Sequence, residues 1–170
     1  TLGIVGYGKI GRALADIASS LGFRVIVHTR RNIETSYESV SGLHELITLS
    51  DIVSLHCPLT EHTKNMISGE VLGALRGKYL VNTARGGLVD ENALLDALEA
   101  GQLLGYATDV FSVEPVSGIS KKLAMHPRVI SSPHIAAMDK ATAFDMTRRA
   151  LENALNSIAE EHGKVKAYLP

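Results

Sequence analysis

The sequence alternates between short apolar runs and stretches in which apolar residues recur with the periodicity of a helix. Six runs of three to five residues have the length and the apolar or β-branched content of strands: Leu2–Val5, Arg24–His28, Ile52–His56, Tyr79–Asn82, Leu104–Thr108 and Val129–Ser131. Strands that are apolar on both faces and alternate with helices form a parallel sheet that is covered on both sides. The pattern therefore predicts a doubly wound, Rossmann-type α/β fold with three layers, α/β/α.

Three helices are predicted from apolar residues that lie three or four positions apart. The first presents an apolar face made of Ala13, Leu14, Ile17, Ala18 and Leu21. Another begins at Asp90 and stops at Gly101, residue types that are favoured at the two ends of a helix, and the last runs from about Met138 to Glu160. The segment Val116–Lys122 is expected to be an irregular loop.

Composition limits the functions that are open to this chain. Its 170 residues, 45% of them hydrophobic, predict a single domain over residues 1–170 with its own core. With 17 basic and 18 acidic residues the net charge is −1, so there is no electrostatic basis for binding nucleic acid or an anionic membrane. No apolar run approaches the roughly 18 residues of a spanning helix. We therefore expect a cytoplasmic domain with small-molecule or protein partners, cut from a longer protein because the chain starts inside a predicted strand.

The first predicted strand leads directly into a glycine pattern, Gly6-x-Gly8-x-x-Gly11, and then into the first helix. In a nucleotide-binding turn, Gly6 would allow the tight bend, Gly8 would let the backbone approach a pyrophosphate, and Gly11 would let helix and strand pack closely. Free N–H groups at the helix start, at Lys9 and Ile10, would then meet the phosphates. The pattern predicts a dinucleotide site; the alternative is a tight turn without a ligand.

The end of the second predicted strand bears on the choice of dinucleotide. An acidic residue there would bind the adenosine ribose hydroxyls and repel a 2′-phosphate, but this chain has Thr29, Arg30 and Arg31 instead. Guanidinium groups bind a phosphate through paired N–H donors. The sequence therefore favours NADP(H) over NAD(H); the alternative is that both arginines are solvated loop charges.

Polar residues and short loops follow the later predicted strands, and the carboxyl ends of parallel strands converge on one ligand-binding edge. The candidates after the third to sixth runs are His56, Pro58, Thr60, Thr83, Ala84, Arg85, Asp109, Glu114 and His134. Transfer of a hydride to a carbonyl needs a proton donor for the developing alkoxide, a role that suits a histidine beside a carboxylate. An arginine can bind a substrate carboxylate and polarise the adjacent keto oxygen. No spacing of cysteine and histidine predicts a metal site.

Three long segments, together with the glycine pattern, closely resemble the D-isomer-specific 2-hydroxyacid dehydrogenases over roughly residues 2–160. These segments are VNTARGGLVDE (81–91), GYATDVFSVEP (105–115) and SPHIAA (132–137). The resemblance implies an NAD(P)-binding domain of an enzyme that transfers a hydride between nicotinamide and a 2-keto acid or D-2-hydroxy acid. It also implies a homodimer formed through the coenzyme domains.

The same resemblance implies a role for each candidate residue. Arg85 would bind the substrate, Glu114 would pair with the histidine, and His134 would be the general acid and base. Asp109 would lie close to the nicotinamide carboxamide. The remaining residues would contact the coenzyme: Thr83 and Ala84 would line it, and His56, Pro58 and Thr60 would border the adenosine and pyrophosphate. His134 would also contact the coenzyme.

Two departures from the family pattern carry further expectations. Family members normally have a second, substrate-binding domain that this chain lacks, so the isolated chain should bind nucleotide but turn over poorly. The absence of an acidic residue after the second strand resembles the NADP-preferring glyoxylate and hydroxypyruvate reductases; a phosphoglycerate dehydrogenase-like enzyme is the other possibility within the family. A nucleotide-sensing corepressor of the same fold is the main alternative function. A methyltransferase is disfavoured because methyl transfer has no use for the Arg–Glu–His series.

Overall fold

The computed structural model describes residues 1–30 and 34–161 of the chain. Within them, seven strands form one sheet in which every pairing is parallel. The strands are β1 (Leu2–Val5), β2 (Val25–His28), β3 (Glu38–Val40), β4 (Ile52–Leu55), β5 (Tyr79–Asn82), β6 (Gly105–Thr108) and β7 (Val129–Ser131). Their spatial order is β3-β2-β1-β4-β5-β6-β7. The prediction of a doubly wound, Rossmann-type parallel sheet flanked by helices is confirmed.

Six helices and one 3₁₀ turn connect or follow these strands in the described residues. The helices are α1 (Lys9–Ser20), α2 (Leu43–Leu49), α3 (Gly69–Ala74), α4 (Glu91–Glu99), α5 (Gly118–Ala124) and α6 (Lys140–Glu161), and the 3₁₀ turn is Gly86–Leu88. The chain divides into two compact units, Thr1–Pro133, which contains the sheet, and His134–Pro170, which contains α6. The expectation of one domain over residues 1–170 stays a prediction.

The predicted ends of α4 are confirmed, and the cap shows why the helix begins there. The Asp90 side chain accepts hydrogen bonds from the backbone N–H groups of Asn92 and Ala93, at 3.1 and 3.2 Å. These bonds satisfy N–H groups that have no partner within the helix. Gly101 adopts a positive φ of 65° just beyond the last turn, a conformation that glycine accepts without steric penalty.

The predicted apolar face of α1 is wrong in part. The helix buries Gly11, Ala15 and Ala18, whereas Ile17 and Leu21 are mostly exposed. A Cβ atom on Gly11 would overlap the carbonyl oxygen of Gly6, so the first turn of α1 lies directly against the backbone of the turn that follows β1. Small residues on the buried face permit this approach, and the larger apolar side chains therefore point outward.

Two further elements differ from the sequence prediction. Strand β3 was not predicted because it is a three-residue edge strand, Glu-Ser-Val, without an apolar run. Helix α5 occupies most of Val116–Lys122, where a loop was expected. This short helix buries Leu123 and the hydroxyl-bearing Ser120. Tertiary contacts with α4 and β7 stabilise it, and these are invisible to a local pattern.

None of the helices in residues 1–30 and 34–161 combines the length and apolar character that crossing a bilayer requires.

Candidate coenzyme and catalytic site

The ends of six strands lie side by side at the carboxyl edge of the sheet. Backbone pairing places the last residue of each strand opposite the last residue of its neighbour, in the row His28, Val5, Leu55, Asn82, Thr108, Ser131. The next residue along each strand therefore begins a loop at the same edge. The strand order reverses between β1 and β4, which is the place where open α/β sheets bind their ligands.

The glycine turn after β1 lies directly against the loop after β4. Gly6 has a φ of +97°, and a Cβ atom on it would lie 2.6 Å from the backbone nitrogen of Cys57 and 2.7 Å from the carbonyl carbon of His56. A side chain at Gly6 is thus excluded by both conformation and space. The predicted role of Gly6 in the bend and that of Gly11 in close packing agree with these contacts.

Gly8 lies at the N-terminus of α1, where the geometry suits a phosphate group. Gly8 is the N-cap residue, and a Cβ atom added to it would meet no atom of the described residues within 4 Å. In the described part of the chain no side chain caps α1, and its first turn contains no acidic residue. Lys9 and Ile10 are exposed. The N–H groups of this helix start are therefore available to a pyrophosphate, and the residues fit a dinucleotide.

The loop after β2 carries the residues from which coenzyme preference was predicted. Thr29 is half-buried and Arg30 is exposed, while Arg31 lies outside the described residues. Burial raises the pKa of the Cys57 thiol, and the positive charge of Arg30 opposes that rise.

The loop after β4 is held by hydrogen bonds of its own. The Nε2 atom of His56 lies 2.8 Å from Oγ of Ser54, and burial lowers the pKa of the ring, which favours the neutral form at neutral pH. The Thr63 hydroxyl accepts from the N–H of Thr60 and donates to the carbonyl of Pro58, both at 2.7 Å. Thr63 is buried and was not predicted; a threonine three residues beyond Thr60 was its only signal.

The turn that carries Arg85 is supported by a buried asparagine. Asn82, the last residue of β5, donates from Nδ2 to the carbonyl of Arg85 at 3.0 Å and accepts from the N–H of Ala84 at 3.1 Å. The Arg85 guanidinium is exposed and donates to the Ala84 carbonyl at 2.6 Å, while Thr83 is exposed beside it. Asn82 was not predicted as a site residue, although a polar residue ending a buried strand is a recognisable signal.

The segment that carries Glu114 lies against the Arg85 turn. A Cβ atom on Gly86 would overlap the carbonyl group of Phe111 and the amide nitrogen of Ser112. One carboxylate oxygen of Glu114 accepts a hydrogen bond from the N–H of Phe111 at 2.8 Å. The structure therefore brings the chain segments of Arg85 and Glu114 into direct contact, although 29 positions separate the two residues.

Asp109 and His134 occupy different settings. Asp109 is buried directly after β6, and its carboxylate accepts from the Ser132 hydroxyl at 2.5 Å. His134 is the first residue of the second unit, is exposed, and has a φ of +55°, which few residues other than glycine adopt. Its pairing with Glu114 stays a prediction.

Among the described residues, no group of three or more His, Cys, Asp or Glu side chains is placed to hold a metal ion.

The sequence matches the family described as "D-isomer specific 2-hydroxyacid dehydrogenase, NAD binding domain" over residues 1–136. The chain belongs to this family. The family membership predicted from the glycine pattern and the three long segments is thereby confirmed.

Several 2-hydroxyacid dehydrogenases are similar to the chain along most of its length. D-3-phosphoglycerate dehydrogenase of Bacillus subtilis (strain 168) is 38% identical over 160 residues, which are 91% of this chain and 30% of that protein. The solved D-lactate dehydrogenase with NAD+ from Lactobacillus jensenii is 30% identical, with a TM-score of 0.87, 99% of this chain covered and 54% of that one. The solved NADPH-dependent glyoxylate/hydroxypyruvate reductase from Sinorhizobium meliloti, in complex with NADP and malonate, is 30% identical, with a TM-score of 0.88 and coverages of 94% and 50%. The chain thus spans about half, or less, of these relatives.

Proposed function

We propose that this chain is the coenzyme domain of a D-2-hydroxyacid dehydrogenase that interconverts a 2-keto acid and a D-2-hydroxy acid. The observation that carries the proposal is the direct contact between the Arg85 turn and the Glu114 segment, at the same sheet edge as an uncapped glycine turn. An anion-binding helix start beside an arginine and a carboxylate supplies what hydride transfer to a keto acid requires.

Each side chain has a distinct task in this proposal. The exposed guanidinium of Arg85 binds the substrate carboxylate and polarises the adjacent carbonyl oxygen. In the role that the family resemblance gives it, Glu114 pairs with the His134 imidazole and orients it. Asp109 lies beside the nicotinamide carboxamide, and Thr83, Ala84, His56, Pro58 and Thr60 line the coenzyme.

Reduction of the keto acid adds one hydride to the carbonyl carbon and one proton to the carbonyl oxygen. Bound reduced nicotinamide supplies the hydride. His134 donates the proton to the oxygen as negative charge develops there, and Arg85 stabilises that charge. In the oxidative direction, His134 accepts the proton from the hydroxyl group.

The proposed coenzyme is NADP(H) in preference to NAD(H). Support comes from Thr29 and Arg30, which follow β2 where an acidic residue would repel a 2′-phosphate. One solved relative is described with NAD+ and another with NADP, so the family accommodates both coenzymes.

The proposed partners are a small 2-keto or 2-hydroxy acid and a second copy of the protein. The relatives are about twice as long as this chain or longer, so a further domain would complete the substrate pocket. The 170-residue chain alone is therefore expected to bind coenzyme and to turn over poorly, because the binding energy and water exclusion of that domain are missing.

The decisive experiment measures coenzyme oxidation by the whole protein that contains this chain. NADPH and NADH are each offered with a panel of 2-keto acids, including glyoxylate, hydroxypyruvate, pyruvate and 3-phosphohydroxypyruvate. Turnover with at least one acid, giving the D-hydroxy acid, is the expected result. Tight coenzyme binding without turnover of any 2-keto acid would instead favour a nucleotide-sensing, corepressor-like protein.

A further inference from the structure

Glu91 is a buried carboxylate for which the proposed chemistry has no use. It is the first residue of α4, and only 6% of its surface is exposed. One carboxylate oxygen accepts from the backbone N–H of Ser112 at 2.8 Å, and the other accepts from the hydroxyl of the fully buried Ser120 at 2.6 Å. A charged side chain is rarely buried unless specific partners compensate for the lost hydration.

The two partners of Glu91 bracket the segment that carries Glu114. Ser112 precedes Glu114 by two positions, and Ser120 follows it by six on α5. The N–H of Phe111 donates to Glu114, and the next N–H along the chain, that of Ser112, donates to Glu91. Two successive backbone amides are therefore held by two carboxylates, one of which is the proposed catalytic group.

Glu91 is also tied to the turn that carries Arg85. The 3₁₀ turn Gly86–Leu88 begins directly after Arg85, and α4 begins three residues after that turn ends, behind the Asp90 cap. Gly86 lies against Phe111 and Ser112 in the same region. A displacement of the Ser112 amide would therefore change the separation of the Arg85 and Glu114 segments.

We propose that Glu91 is a positioning residue that holds the Glu114 segment at a set distance from the Arg85 turn. The proposal rests on the proposed function, in which Arg85 and Glu114 act on the same substrate. Glu91 itself touches neither substrate nor coenzyme; it acts through the Ser112 amide. Loss of the carboxylate leaves the Ser112 N–H and the Ser120 hydroxyl without their acceptor, and the segment moves to rehydrate them.

The test compares four variants of the whole protein. Glu91→Ala removes both hydrogen bonds, and Ser120→Ala removes only the bond to α5. Glu91→Gln keeps an oxygen that accepts from the Ser112 N–H. Its NH₂ group replaces the second oxygen and donates to the Ser120 hydroxyl, so both contacts are retained with the second one reversed. Glu99→Ala, an exposed carboxylate at the last residue of the same helix, is the matched control.

Two readouts are measured for each variant: deuterium exchange of the amides of residues 110–115, and kcat with KM for both substrates. Glu91→Ala should speed exchange in that segment and lower kcat by about 10- to 100-fold, the effect of misplacing a reacting group by about 1 Å. The KM for coenzyme should change less than kcat, because the glycine turn, which is proposed to bind the pyrophosphate, is a separate part of the sheet edge. Ser120→Ala should show smaller changes of the same kind, and Glu91→Gln should restore most of the rate.

The outcomes distinguish the two proposals. If Glu91→Ala speeds amide exchange but the unmodified protein turns over no 2-keto acid, the proposed function is overturned. The positioning of the segment by Glu91 is then still supported. Unchanged exchange and unchanged kcat in Glu91→Ala would overturn the positioning role. If Glu91→Ala fails to fold, Ser120→Ala decides: a folded variant with wild-type exchange and kcat would also overturn it.

Discussion

Gly86 lies so close to Phe111 that a Cβ atom on Gly86 would overlap the carbonyl group of Phe111. This contact joins the turn after β5 to the segment after β6. It brings the backbone next to Arg85 against the backbone that orients Glu114.

Substitution Gly86→Ala is expected to separate these two segments. The added methyl group meets rigid backbone atoms, so we expect a loss of about 1–3 kcal/mol in the free energy of unfolding and a marked fall in kcat. Gly87→Ala is the control, because its Cβ atom would lie 3.0 Å from Cδ2 of Leu59, a side chain that can rotate away. Urea denaturation and steady-state kinetics check both variants. Equal effects at Gly86 and Gly87 would contradict the prediction.

Replacement by alanine should have different consequences at Gly8 and at Gly11, although both residues belong to the glycine pattern. A methyl group at Gly11 would overlap the Gly6 carbonyl oxygen, so Gly11→Ala should lower both stability and coenzyme affinity. Among the residues that the structure describes, none has an atom within 4 Å of a methyl group at Gly8, so Gly8→Ala should leave the unfolding midpoint unchanged and weaken coenzyme binding. Thermal unfolding without coenzyme and fluorescence titration with it separate the two effects. Undiminished coenzyme binding by Gly8→Ala would argue against a pyrophosphate at this helix start.

Arg85 is expected to contribute to both substrate binding and the rate. Arg85→Ala should lower kcat/KM for the 2-keto acid by about 100-fold or more, because a donor to the developing oxyanion is lost. Arg85→Lys should recover only part of this loss, since an ammonium group lacks the paired donors of a guanidinium. Arg76→Ala is the control: it is exposed and precedes β5, at the opposite end of that strand. An Arg85→Ala enzyme with wild-type kcat/KM would remove Arg85 from the site.

Coenzyme preference is tested by titrating the protein with NADPH and NADH side by side. We expect the unmodified protein to bind NADPH more tightly than NADH. Arg30→Ala or Arg31→Ala should weaken NADPH binding by about 1.5–3 kcal/mol, the contribution of a hydrogen bond to a charged group. NADH binding should be unaffected. Arg24→Ala, at the other end of β2, serves as the control. Equal or tighter binding of NADH by the unmodified protein would mean that these arginines are solvated charges.

The pH dependence of stability should contain a contribution from His56. Burial lowers the pKa of its ring below the unfolded value of 6.5, so the unfolded chain binds a proton more readily than the folded one. Stability is therefore full above about pH 6.5 and falls as the pH drops from there towards the lower folded pKa. Urea titrations across pH 5 to 8 should show a smaller loss in His56→Gln than in the unmodified protein. The exposed His62, changed to Gln, should leave the loss unchanged.

The parallel sheet, the capped helix α4 and the glycine turn could be predicted from the sequence. In each case a few consecutive residues contain the cause: apolar runs, an Asp and a Gly at the ends of α4, and glycines spaced for a strand-to-helix bend. Helix α5 could not be predicted in this way, because the buried bond from Ser120 to Glu91 joins residues 29 positions apart. The outward orientation of Ile17 was likewise missed, because α1 buries the face that carries Gly11, Ala15 and Ala18, and a local pattern of apolar residues favoured a different face.

Family membership, six of the seven strands and the polar residues that follow them could all be recognised in the sequence, because these properties belong to neighbouring residues. The tertiary structure decided which of those loops touch. Only strand pairing sets the ends of β1, β4, β5 and β6 in one row, and only backbone packing brings Gly86 against Phe111. Asn82 and Glu91 gained their supporting roles in the same way, since burial gives a polar side chain partners that chain proximity does not predict.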